Sequence, residues 1–72
     1  MRRTVLLIEG PFCYSCIKLL VSKVKTLDGI TDVKLNAVAG LLILYSEDNL
    51  NIMSIQKAIE AAGFRFLRKV EG

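Results

Sequence analysis

The stretch Thr4-Val5-Leu6-Leu7-Ile8-Glu9-Gly10-Pro11-Phe12-Cys13-Tyr14-Ser15-Cys16-Ile17-Lys18-Leu19-Leu20-Val21 changes character twice. Residues 4–9 are aliphatic and β-branched and stop at Gly10-Pro11, which predicts a strand followed by a loop. Ser15 is the expected N-cap of the next element, with Tyr14 the alternative first helical residue. From Cys16 to about Thr26 the apolar residues Ile17, Leu20, Val21, Val24 and Leu27 fall at helical spacing, while Lys18, Ser22, Lys23 and Lys25 occupy the other face.

Outward from that strand–loop–helix the rest of the chain supplies its partners. Asp28-Gly29 ends the helix. Val33 and Leu35 alternate with Asp32, Lys34 and Asn36, the pattern of a half-buried strand. Ala39-Gly40 turns the chain, and Leu41–Tyr45 returns it as a hairpin partner. Residues 47–51 are polar, and Asn51 caps a helix with Ile52, Ile55, Ala58, Ile59 and Ala62 on one face. Gly63 stops that helix and Phe64–Val70 form a last strand. The order βαββαβ predicts an α+β, ferredoxin-like sandwich. Two right-handed crossovers give a four-stranded antiparallel sheet in the order fourth, first, third, second, with both helices on one face.

The chain has 72 residues, 53% hydrophobic and 24% charged, which suits one domain over residues 1–72 and excludes a disordered chain. The longest apolar run, Leu41–Tyr45, is far short of a membrane helix, so no membrane insertion is expected. Nor is Val5–Ile8 long enough for a signal peptide, and a cytoplasmic location follows as the expectation. Met1 reads as a frayed terminus. Ten Lys and Arg against seven Asp and Glu leave a charge of +3, with the cations scattered. That excess is weak support for a nucleic-acid partner. A core this small favours a binding or carrier module over an enzyme with a deep pocket.

Cys13 and Cys16 are the only cysteines, and the chain has no His. One sulfur in the loop and one in the first helical turn can converge on a soft ion, and a helix N-terminus stabilises thiolate. Thiolate pairs favour Cu(I) and other d¹⁰ ions. Two sulfurs without imidazole suit a two-coordinate ion better than Zn(II), which takes four ligands and would need outside ones.

The motif follows a strand and Glu9-Gly10 and opens the first helix of βαββαβ. Together with Leu20, Val24, Gly29-Ile30, Val33, Leu35, Tyr45 and Ile55-x-x-Ala58-Ile59-x-x-Ala62-Gly63-Phe64, it resembles the heavy-metal-associated domain family. That family comprises small copper chaperones and metal-binding domains of heavy-metal ATPases. The resemblance covers nearly the whole chain. It implies that Cys13 and Cys16 are metal ligands for Cu(I), or for another soft ion such as Hg(II), with transfer by thiolate exchange to a partner such as a metal-transporting ATPase. Where the family reads Gly-Met-Thr-Cys, this chain reads Gly10-Pro11-Phe12-Cys13. Pro11 fixes φ in place of a flexible anchor, Phe12 supplies apolar cover, and Tyr14 sits between the ligands to shield them or meet a partner. Phe64 takes a packing role beneath the loop, and Lys18 is a candidate for docking an acidic partner.

Other readings accompany this one. The cysteines form a buried pair or a disulfide in the plainest account, and a thiol–disulfide redox or metal-sensing module in another. The ends at Met1 and Gly72 suggest a stand-alone protein, the alternative being a regulatory domain of a larger ATPase or mercuric reductase. Met53 is assigned to packing, not ligation, and Tyr45 and Phe66 to the sheet or core. With Leu6, Ile8, Ile43 and Tyr45 inward, Val5, Leu7, Leu42 and Leu44 point away from the helices. They would form an apolar patch suited to self-association, and one without the aromatics that RNA binding on a sheet requires.

Overall fold

The computed structural model describes residues 2–47 and 50–72; Met1, and Asp48 and Asn49 from the polar stretch 47–51, lie outside the described residues. The elements are β1 (Arg2–Glu9), α1 (Tyr14–Lys25), β2 (Ile30–Asn36), β3 (Leu41–Ser46), α2 (Ile52–Ala61) and β4 (Arg65–Glu71). The strands form one antiparallel sheet in the order β2-β3-β1-β4, as the sequence predicts. One core joins the sheet to the helices: Leu6, Ile8, Val33, Leu42 and Leu44 from the strands, Leu20 and Val24 from α1, and Ile55 and Ile59 from α2. Fully burying an aliphatic side chain of this size contributes about 1.5–3 kcal/mol. The seven aliphatic side chains that are completely enclosed (Leu6, Leu20, Val24, Leu42, Leu44, Ile55 and Ile59) therefore carry the fold.

The inward phase of β3 is the reverse of the expectation. Leu42 and Leu44 are fully buried in the core, while Ile43 and Tyr45 lie half-buried on the open face. Pairing decides this. Leu42 sits opposite Leu6 and Leu35, and Leu44 opposite Thr4 and Val33. Directly opposed residues share a face, so the inward Leu6 and Val33 carry their partners inward. The open face of the two central strands therefore presents Val5, Leu7, Ile43 and Tyr45. Val5 is already buried, and the Lys34 ammonium stands 5.8 Å over the Tyr45 ring. The expected bare patch, with Leu42 and Leu44 at its centre, is absent.

The end of α2 aims a side chain at the loop between β1 and α1. Gly63, at φ +90°, follows the cap residue Ala62, and its N–H donates to Glu60 O at 3.0 Å, while Phe64 N–H donates to Ile59 O at 3.1 Å. This is a Schellman motif, in which a left-handed glycine reverses the chain and packs the next residue back on the helix. Phe64 enters the core (2% exposed) directly under the β1–α1 loop.

Candidate metal centre

The loop between β1 and α1 rests on aromatic rings. Phe12 packs against the core with its ring centroid 5.5 Å from that of Phe64, the planes tilted by 52°. Gly10 lies so close over Phe64 that a Cβ there would come within 2.4 Å of the ring atom Cδ2. The absence of a side chain at Gly10 thus lets the loop settle on Phe64. Pro11 is exposed, at the outer side of the same loop.

Cys13, not Ser15, is the N-cap of α1, and Tyr14 is its first helical residue. The Cys13 backbone is extended (φ −80°, ψ 159°), its carbonyl accepts from Ile17 N–H at 2.9 Å, and its Sγ accepts from Cys16 N–H at 3.3 Å. A cap side chain bonding to the third helical residue satisfies one of the free amides at a helix start. The two cysteines are thereby brought together by the cap itself. Both are free thiols, Cys13 exposed and Cys16 half-buried. There is no acidic residue in the first turn of α1, and Lys23 and Lys25 lie in the last. The positive end of the helix dipole is therefore left to the sulfurs.

The pair divides its protons unequally. The Cys16 thiol, and then its N–H, donate to the Cys13 sulfur and push the Cys13 pKa below its ordinary value. That donation holds the proton on Cys16, whose pKa is raised, with desolvation and the negative charge of Cys13 acting in the same direction. The two thiols are thus shifted in opposite directions, Cys13 down and Cys16 up.

Of the remaining predicted site residues, Phe12 belongs to the loop and packs on Phe64, which is buried beneath it. Tyr14 is 77% exposed, with the Lys18 ammonium 5.4 Å over its ring. Lys18 is one helical turn from the metal loop. Met53 is 64% exposed on the first turn of α2, whose start lies at the end of the sheet away from Cys13. Among the described residues no group of three or more Cys, His, Asp or Glu comes together. Sequence reading missed the capping role of Cys13; its only signal is the placement of a polarisable acceptor three residues before Cys16.

No family model matches the chain. The copper chaperone CopZ of Bacillus subtilis (strain 168) is 32% identical over 65 residues, 89% of this chain and 94% of that protein. Among solved structures, a CopZ metallochaperone matches with a TM-score of 0.84 at 24% identity, over 92% of this chain and all (100%) of that one. The yeast copper transporter domain CCC2A, solved in apo and Cu(I)-loaded states, matches at 0.82 and 24% identity, over 97% of this chain and 100% of that one. At those identities the two structures establish the fold, and the CopZ sequence establishes the kinship: this chain belongs to the heavy-metal-associated domain family, among its copper-chaperone-like members.

Proposed function

We propose that the chain holds one Cu(I) ion between Cys13 and Cys16 and delivers it to a metal-accepting protein, such as a metal-transporting ATPase. The observation that carries this reading is a pair of free thiols joined through the cap of α1, with Cys13 exposed and its pKa drawn down by the donors of Cys16. Two soft sulfurs, with no cluster of three or more ligating residues among the described ones, match Cu(I), which accepts two-coordination. Zn(II) would need ligands from outside the chain; Hg(II) satisfies the same sulfur chemistry as Cu(I).

Transfer follows from the same geometry. An accepting thiolate bonds to the copper, one bond to Cys13 or Cys16 breaks, and that sulfur leaves as thiolate or takes up a proton. Repeating the step releases the second sulfur. Copper stays Cu(I) throughout and no covalent bond in a substrate is made or broken, so the chain is a carrier and not an enzyme. Phe12 and Phe64 hold the loop from below, Pro11 restricts it, and Tyr14 and Lys18 face outward toward a partner. The chemistry needs reduced thiols, which favours a cytoplasmic location; among the described residues no helix is long and apolar enough to cross a membrane. Self-association through the sheet would have to rest on Leu7, Ile43 and Tyr45, all half-buried.

Anaerobic titration of the reduced protein with Cu(I) against a competing chelator tests the reading. One tightly held equivalent is expected, lost on Cys13→Ser or Cys16→Ser. Copper binding indifferent to both replacements contradicts it, and a pair that instead cycles readily as a disulfide with thiol reductants supports the redox reading.

A further inference from the structure

The end of the molecule that bears the sulfurs also bears the β2–β3 turn. Leu7 of β1 and Asn36 of β2 both pair with Leu41, and Ile8 N–H donates to Gly40 O at 2.8 Å. Residues 37–40 therefore stand beside the Glu9–Gly10 end of β1, from which the metal loop departs. Polar groups alone hold this turn: Asn36 Oδ1 accepts from Ala39 N–H at 3.1 Å and Asn36 O from Gly40 N–H at 2.9 Å. Its outer side chains are Ala37, Val38 and Ala39, all exposed, with Val38 as open (101%) as in an extended chain. Turns ordinarily use Gly, Asn, Asp or Ser here. A fully exposed valine neither fixes the turn nor adds to the core.

A single exposed aliphatic is ordinary. This one shares its end of the molecule with Pro11, with Tyr14 and with the one site that a macromolecule must reach. Copper passes between proteins only when an incoming sulfur touches the ion, so an accepting protein must cover the Cys13 end. Even a small transient interface takes up to about 600 Å² on each partner. On a molecule measuring 30 × 22 × 18 Å, that end also carries the β2–β3 turn, beside the end of β1 from which the Cys13 loop departs. We infer that the Ala37-Val38-Ala39 turn is a docking element for the accepting protein. Val38 is the knob that enters an apolar socket on a partner presenting its own paired thiols. The inference rests on the carrier reading above and adds to it the surface that chooses the acceptor.

The test compares two acceptors. Copper-loaded parent, Val38→Asp and Val38→Thr are each mixed with the apo CCC2A domain and, separately, with a small dithiol chelator, and transfer rates are followed. Val38→Asp is expected to slow transfer to the domain roughly tenfold, as the loss of one well-packed interface contact does. Its transfer to the chelator, Cu(I) affinity and melting temperature should match the parent, and Val38→Thr should lie between. Rates to the domain that Val38→Asp leaves unchanged, or that fall in step with the chelator rates, overturn the docking role. Failure of the parent itself to hold copper through Cys13 and Cys16 would instead overturn the carrier reading, and this inference with it.

Discussion

The two helices begin with the same backbone device and different atoms. At α2, Asn51 (φ −82°, ψ 103°) offers Oδ1 to Met53 N–H at 3.0 Å and Ser54 N–H at 3.4 Å. At α1, Cys13 (φ −80°, ψ 159°) offers Sγ to Cys16 N–H at 3.3 Å. An amide oxygen is a strong and chemically inert acceptor, whereas sulfur is a weak one. Sulfur can, however, exchange its hydrogen bonds for a bond to a soft metal. The start of α2 is thus built for stability alone, and the start of α1 gives up capping strength for reactivity. What α1 lacks in its cap is supplied from below, by Phe12 and Phe64 and by the Schellman turn that places Phe64.

If that division is right, the largest stability effect near α1 lies in its support and not in its cap. Gly10→Ala would drive a Cβ to 2.4 Å from Phe64 Cδ2 and 3.1 Å from Phe64 Cα, too close for either to stay in place. Overpacking of this kind costs about 1–3 kcal/mol, read as a lower midpoint in thermal unfolding, and copper affinity should fall with it as the loop lifts. At α2, Asn51→Ala removes a strong cap and should cost about 1 kcal/mol, with copper affinity unchanged. A fall in copper affinity there would break the comparison. At α1, Cys13→Ser keeps an acceptor at the cap, so stability should move by less than about 0.5 kcal/mol even though copper binding is lost.

The subtlest effect is in proton affinity. In the apo parent, Cys13 should ionise below and Cys16 above the ordinary thiol value, because the proton they share is held on Cys16. Thiolate ultraviolet absorbance should therefore rise in two separated steps as pH increases. In Cys16→Ser the Cys13 step should move up, and in Cys13→Ser the Cys16 step should move down, each toward the ordinary value. Since copper must displace the Cys16 proton, apparent affinity should climb with pH until Cys16 ionises. A single unresolved step in the parent would mean that the sulfurs do not interact.

Much of this architecture was legible in the sequence. The strand order follows from βαββαβ and the handedness of crossovers, and Asn51 and Gly63 mark the ends of α2 by ordinary cap chemistry. The facing of β3 was not legible from its own residues, because Leu41–Tyr45 is apolar at every position and a period of two then has no phase. The phase came from across the ladder, where Leu6 and Val33 fix Leu42 and Leu44. The α1 cap was assigned to Ser15 because hydroxyls lead the capping order; only the backbone shows that the thiol two residues earlier takes that place. The two cysteines were singled out from their motif, and Phe64 from its place after Gly63. The exposure of Tyr14 and Val38 depends on packing and on a turn that no local pattern describes.

The central claim is that a helix cap made of sulfur becomes the grip on a copper ion. X-ray absorption at the copper edge, on the Cu(I)-loaded chain in thiol-free buffer, tests it most directly. The account predicts a shell of two sulfur neighbours that disappears in both single cysteine variants. A shell containing nitrogen or oxygen, or one that survives the loss of Cys13, would contradict it.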